Sequence, residues 1–204
     1  MEIQEVILEK VLNKKTSIDG DFVENSLFEN IEFDGYYDYI EINSCNFKSC
    51  NLEKANFQGI DITNSLFELS NLSNLNLSAL YYHKIIFNDC NLVGINFTDA
   101  YLENVIFRNC NLSYSNFSDS NIKNCLFENC NLKDSSFNYM KWKKLNFDSC
   151  DLSNCEFYKV IFKGLDISSC TINNISLDIN NLSGLVVNYE QALSLALLLG
   201  IKIK

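Results

Sequence analysis

Lys48-Ser49-Cys50-Asn51-Leu52, Glu68-Leu69-Ser70-Asn71-Leu72, Asn88-Asp89-Cys90-Asn91-Leu92 and Arg108-Asn109-Cys110-Asn111-Leu112 are one phrase returning every twenty residues. It continues as Glu128-Asn129-Cys130-Asn131-Leu132 and Asp148-Ser149-Cys150-Asp151-Leu152, and fades at Ser168-Ser169-Cys170-Thr171-Ile172. Three further pentads of the same pattern separate successive copies, so the unit is five residues and the higher-order period is twenty. A fixed internal period decides the architecture before local propensity does.

Outward from that phrase the register is unbroken from Ile42 to Val187. It contains thirty centres, each Phe, Leu, Ile, Tyr, Trp or Val. Two residues before each centre stands a second charge-free residue, drawn from Cys, Ser, Ala, Ile, Leu, Val and Met, and once Asn (Asn180). Charge is confined to the other three slots, with Asn frequent just before the centre, as at Asn51, Asn91, Asn96 and Asn111. Burying an unpaired charge is costly, so the two charge-free slots mark inward side chains. An α-helix would wind this period around all its faces, and the period-2 alternation of a strand does not divide five. A chain that turns a corner every pentad fits, with four pentads to a coil and coils stacked about 4.8 Å apart. The predicted fold is therefore an all-β solenoid. Its four walls carry a ladder from Phe47 to Phe147, another from Phe57 to Phe157 interrupted by Leu77, a third from Leu52 to Ile172, and a mixed fourth with Ile62, Tyr82 and Trp142. With no proline and seven glycines, the corners fall to Asn, Asp and Ser.

The formal charge of −10 argues against a basic groove for nucleic acid or attraction to anionic lipid. It is uneven, since residues 1–44 hold 11 acidic and three basic side chains. Lys141, Lys143 and Lys144 flank Trp142 and oppose a uniform anionic surface. The start lacks the basic region and apolar run of a secretory signal, and the longest apolar stretch is too short to span a bilayer. The expectation is a cytoplasmic protein with no membrane contact. Nine cysteines all fall at multiples of five, an odd number without CxxC spacing. A row at strand spacing cannot surround zinc, so they read as small buried core residues. His83, the only histidine, sits in an outward slot with no nucleophile motif around it. Neither an enzyme nor a cofactor site is expected.

Three stretches depart from the repeat. Residues 1–15, with Ile3, Val6, Val11 and Leu12, predict an N-terminal cap segment, a short strand or a helix, over the first coil of the array spanning 16–187, and the pattern does not decide between the two. Centres at Ile18, Val23, Phe28 and Phe33 precede a slip, because Ile42 follows Phe33 by nine residues instead of ten. The slip at 34–41 predicts a local break or short loop, acidic and aromatic. Asp34, Tyr36, Tyr37, Asp38 and Tyr39 are therefore candidate partner-binding residues. Residues 188–204 read as a helix and tail, with Asn188 as N-cap, Glu190 in the first turn and Gly200 just past the end. That helix is apolar nearly all round. One face can seal the solenoid and the rest need cover, which a tail-to-tail homodimer supplies through Tyr189, Ala192, Leu193, Leu195, Ala196, Leu197, Leu199 and Ile201. Leu66, Ile86, Ile106 and Leu126 occupy outward slots twenty apart and predict an exposed aliphatic stripe, with Tyr81 and Tyr101 as a second pair.

The pentad of small residue, Asn or Asp, Leu or Phe and two polar residues resembles the pentapeptide-repeat family over roughly residues 16–187. That resemblance implies a right-handed quadrilateral β-helix. Asn188-Tyr189-Glu190-Gln191-Ala192, Leu198-Leu199-Gly200-Ile201, Asn111-Leu112-Ser113-Tyr114-Ser115-Asn116-Phe117 and Val23-Glu24-Asn25-Ser26-Leu27-Phe28 are similar to the Qnr quinolone-resistance proteins and their mycobacterial relatives. This implies a dimeric rod that imitates B-form DNA and engages DNA gyrase or topoisomerase IV. With one slip and no second interruption, the chain resembles the loop-poor branch. The alternative is a scaffold of the same fold for an unrelated protein partner.

Overall fold

The computed structural model describes residues 12–198 and 200–202. In chain order its strands are β1 (Asn13–Lys15), β2 (Phe22–Glu24), β3 (Ser26–Glu29), β4 (Tyr36–Asp38), β5 (Glu41–Asn43), β6 (Asn46–Lys48) and β7 (Asn56–Gln58). Then come β8 (Asp61–Glu68), β9 (Tyr81–Asn88), β10 (Tyr101–Arg108), β11 (Asn121–Glu128), β12 (Lys141–Asp148), β13 (Glu156–Phe157), β14 (Ser176–Leu177) and the helix α1 (Tyr189–Leu198). All strand pairs are parallel, and the main sheet runs β1-β3-β6-β8-β9-β10-β11-β12. Phe67, Phe87, Phe107, Phe127 and Phe147 pair in turn, each twenty residues after the last. The result is a parallel β-solenoid of about 8 turns with one short C-terminal helix.

Two adjoining walls form the eight-residue strands β8–β12. The other two are held by single bridges such as Asn71 to Asn91 and Asn96 to Asn116. Corners explain the pentad. Two residues past most centres the backbone enters the left-handed region, as at Asn104 (φ 57), Asn109 (φ 53) and Asp119 (φ 60). Asn and Asp tolerate it through local hydrogen bonds, whereas Leu69 (φ 52) takes it at a cost of about 1–2 kcal/mol. At Gly94 (φ 68) a Cβ would stand 2.6 Å from Asn74 Oδ1, so a larger residue there would displace the Asn74 side chain. On the bridge walls the Asn before each centre has two tasks. Asn96 Oδ1 accepts from the Thr98 N–H at 3.0 Å, closing the turn. Asn96 Nδ2 donates to Asn76 Oδ1 at 2.9 Å in the coil before, as Asn91 does to Asn71 at 3.0 Å.

Inside, Phe107 stacks on Phe87 at 5.0 Å and on Phe127 at 4.6 Å. The opposite ladder, Phe97 to Phe117 at 5.2 Å and Phe117 to Phe137 at 5.0 Å, meets the first edge-on. All nine cysteines are buried and free. Cys110 Sγ donates to the carbonyls of Phe87 and Arg108 at 3.4 and 3.3 Å, and the Ser70 hydroxyl does the same for Phe47 and Glu68. Cys and Ser interchange in this slot because each offers one donor to the same pair of carbonyls. Burial pushes the Cys125 and Cys155 thiols up to about 12, which keeps them protonated and inert.

Two expectations need refinement. Of the local break or short loop expected at 34–41, the structure has the break and no loop. Val23 pairs with Ile42 and Phe28 with Phe47, nineteen residues apart, whereas Tyr37 pairs with Phe57 at twenty. One corner between Phe33 and Tyr37 is thus one residue short, and β4 pairs with β7 as in any other coil. Tyr37 takes the centre slot, its ring 5.9 Å from Phe33 and 5.4 Å from Phe57. A Cβ on Gly35 would stand 3.2 Å from the Tyr37 hydroxyl oxygen, so the bare glycine makes room for the short corner. The aliphatic stripe is likewise not exposed. Leu66, Ile86, Ile106 and Leu126 pair side by side and cover one another, leaving Ile106 only 2% exposed. At the start, β1 lies against β3; the apolar positions Ile3 to Val11 lie outside the described residues. Among the described residues no helix is long and apolar enough to cross a membrane.

Candidate interaction surfaces

The C-terminal end is built around Gln191. Asn188 Oδ1 accepts from the Gln191 N–H at 2.9 Å, while Gln191 Oε1 accepts from the Asn188 N–H at 2.8 Å. This reciprocal cap settles the start of α1. Gln191 Nε2 also donates to the carbonyls of Ile167 and Cys170, at 2.8 and 2.7 Å, and the side chain is 5% exposed. Asn188 Nδ2 adds a bond to the Ser168 carbonyl. Leu195 is turned inward too, so of the eight expected dimer residues it seals this chain's own core and is not presented to a partner. Tyr189, Ala192, Leu197 and Ile201 are exposed, Leu193 and Ala196 are half-buried, and Leu199 lies outside the described residues. Leu182, Leu185 and Val187 of the final coil are only partly covered. The end of the rod is therefore apolar and incompletely sealed.

The short corner presents Tyr36 at 81% and Tyr39 at 71% exposure, with Asp34 and Asp38 also exposed. Tyr37, the fifth candidate, is half-buried and packs against the core. Tyr39 is in the left-handed region, and its ring lies over Gly59, where a Cβ would come within 2.7 Å.

On the wall of β9–β11 a polar cluster lies across three coils. The Tyr81 hydroxyl donates to Glu103 at 2.8 Å, and Tyr81 stacks on Tyr101 at 5.1 Å. Lys123 forms an ion pair with Glu103. That hydrogen bond, followed by the one from Tyr81, holds the Glu103 carboxyl below its usual range. Burial, and then the bond to Glu103, pushes the Tyr81 phenol up to about 12. The cluster clamps one wall, with the Tyr81 hydroxyl also 3.5 Å from His83 Nδ1. His83 lies 3.8 Å from Glu103. Among the described residues no group of three or more His, Cys, Asp or Glu side chains is placed to hold a metal.

Further along the same wall Trp142 stands where Ile62, Tyr82, Leu102 and Ile122 stood. It is only half-buried, and its Nε1 donates to the Ile161 carbonyl at 2.8 Å. Among the described residues the next coil makes no strand pair here, and β12 is the last strand of the sheet. Sequence reading missed both Gln191 and this wedge. The Asn188-x-x-Gln191 spacing was a legible capping signal, and the only tryptophan in a ladder of smaller residues was a second.

Residues 60–137 and 81–152 match the family model described as the pentapeptide repeat region. No curated protein sequence matches the chain. Among solved structures it is similar to QnrB1, a plasmid-mediated fluoroquinolone resistance protein, in two trypsin-treated forms. Both are 24% identical, one with a TM-score of 0.42 over 94% of this chain and 96% of that one, the other with 0.41 over 90% of each. It is also similar to HetL, a pentapeptide repeat protein involved in heterocyst differentiation regulation from the cyanobacterium Nostoc. That likeness is 12% identical with a TM-score of 0.39, over 74% of this chain and 85% of that one. The fold rests on the coil register and hydrogen bonds above, not on these likenesses.

Proposed function

We propose that the chain, whose residues 60–152 match the model of the pentapeptide repeat region, is a dimeric, rod-shaped interaction protein that binds DNA gyrase or topoisomerase IV and protects it from quinolones. The observation that carries the reading is the C-terminal end, where Tyr189, Leu197, Leu198 and Ile201 stay exposed on a helix locked in place by Asn188 and Gln191. The residues around this cap are among those that resemble the Qnr proteins. A second copy docked there tail to tail buries the apolar end and doubles the rod.

Eight coils at about 4.8 Å make a rod of roughly 40 Å, and two rods span about two turns of duplex DNA. In such a dimer the acidic first coils, with Asp34 and Asp38, form the two tips, and the lysines around Trp142 lie nearer the joint. The imitation of DNA is then one of width and length, and of charge only toward the tips. Asp34, Tyr36, Asp38 and Tyr39 are the proposed contacts with the enzyme. With a net charge of −10 the protein does not bind nucleic acid itself, and it acts in the cytoplasm, where its target is. The uneven charge is what favours the second reading, a scaffold for a different protein.

The test is DNA supercoiling by gyrase in the presence of a fluoroquinolone, with the protein titrated in. Wild type should restore supercoiling at an inhibitory drug concentration. The exposed-site variant Leu197→Glu/Leu198→Glu should stay folded, become monomeric by light scattering and protect poorly. If wild type neither rescues nor inhibits either topoisomerase at any concentration, the scaffold reading replaces this one.

A further inference from the structure

The wedge at Trp142 opens a lysine-lined groove. Between β12 and residues 161–168 no backbone hydrogen bond is made among the described residues, whereas the preceding coils are laddered throughout. Where a regular coil would donate backbone N–H groups to its neighbour, the Ile161 carbonyl instead takes the indole N–H of Trp142. On the opposite walls the same two coils stay joined, through the Asp151 to Thr171 bridge and the β13–β14 pair. The solenoid is therefore parted along one side only. The gap forms a groove of about 730 Å³ lined by Lys141, Lys143, Lys144, Lys159 and Lys163, with Trp142 at its base and Ile161, 68% exposed, at its rim.

Lys159 is engaged by Asp178 at 3.6 Å and lies over the Tyr158 ring. Lys141, Lys143, Lys144 and Lys163 are exposed and make no ion pair among the described residues. Asp119 is the one acid lining the groove. Four uncompensated ammonium groups in a protein of charge −10 form a local site of opposite sign, which screening confines to its immediate surroundings.

We propose that this groove docks a short, extended segment rich in Asp and Glu, supplied by a protein partner. Charge complementarity selects acidic side chains. At the far end of β12 the Phe147 carbonyl accepts from Ser169 Oγ and Cys170 Sγ, but the peptide groups beside the groove at Lys141–Lys144 have no backbone partner in the next coil among the described residues and select a chain with amides of its own. A nucleic acid strand supplies charge without the amides, and it meets the repulsion of the rest of the surface. The groove spans about two coils, roughly 10 Å, which an extended chain covers in three or four residues. A second copy presenting its acidic first coils would make a head-to-side contact that does not close on itself. The inference does not rest on the topoisomerase reading, and the experiment contains no topoisomerase.

Fluorescence anisotropy of a labelled peptide of alternating Glu and Val, titrated with the full chain, tests it. The same peptide with Lys for Glu and a short oligo-dT serve as competitors of different chemistry. The Glu peptide should bind, more weakly at high salt, and Lys141→Glu/Lys143→Glu/Lys163→Glu should weaken it by about tenfold. Trp142→Ile, which keeps every lysine and removes the wedge, should also weaken it. Circular dichroism melts report that each variant is folded, and the salt dependence of wild type stands even if one is not. Salt-independent binding, unchanged affinity in folded Trp142→Ile, or tighter binding of oligo-dT would overturn the proposal. So would self-association of the free protein that the charge-reversal variant abolishes, because the occupant would then be a second copy.

Discussion

Phe107→Ala is expected to destabilise the protein by about 3–5 kcal/mol, the range for deleting a fully buried aromatic ring. Phe107 is completely buried in the middle of the rod. It stacks on Phe87 and Phe127 and meets Phe97 and Phe117 edge-on at 6.1 and 6.0 Å. Four rings lose a partner, and the backbone cannot collapse into the space because the coils on either side are pinned by β9–β10 and β10–β11 pairing. In a solenoid each coil is stabilised by its two neighbours, so a weak central coil also uncouples the two halves. For a chain of this length the midpoint should fall by roughly 10 °C. A fall of only a degree or two, measured by calorimetry, would mean that the ladder is not the core described above.

Gln191→Ala should cost roughly 2–4 kcal/mol, because at a site that is 5% exposed it leaves the Cys170 carbonyl without a donor and takes from the Ile167 carbonyl one of its two, the other being the Cys170 N–H. It also removes half of the reciprocal cap with Asn188. The effect should be local first, with the amides of α1 exchanging much faster before the coils do, since terminal elements open separately. Gln191→Glu separates the two roles. A carboxylate still accepts from the Asn188 N–H but gives nothing to the two carbonyls, and it places a charge in a dry site. If the bonds to the coil matter most, Glu is at least as damaging as Ala. Exchange rates for Gln191→Glu equal to wild type would show that capping alone is at work.

The legible part of this molecule is whatever follows from the period. Phe107 and Leu112 read as inward because their slots never carry charge, and residues twenty apart, such as Phe87 and Phe107, are neighbours once the coil is known. Direction is not exposure, however. Ile106 does face outward, yet Ile86 and Leu126 on either side cover it, a mutual effect that no single slot announces. At 34–41 a strict period of five lost the frame. A corner one residue short keeps Tyr37 packed against the core, and Gly35 in the small slot was the clue. Trp142 and Gln191 act through carbonyls nineteen to twenty-four residues away. Their hydrogen bonds depend on how far one coil is displaced from the next, which the pattern of slots does not encode.

The central claim is a stack of interchangeable twenty-residue coils whose straight walls present the binding surfaces. Deleting residues 91–110 tests it most directly, since Cys90 then runs into Asn111, the residue type that follows it now. Every wall stays in register and only the length changes. Deleting residues 91–100 removes half a coil and sets each later ladder against the opposite wall. Thermal melts followed by circular dichroism should find the twenty-residue deletion folded and cooperative, with a modestly lower midpoint, and the ten-residue deletion unfolded or far less stable. Equal damage from the two deletions, or a more stable half-coil variant, would contradict the account.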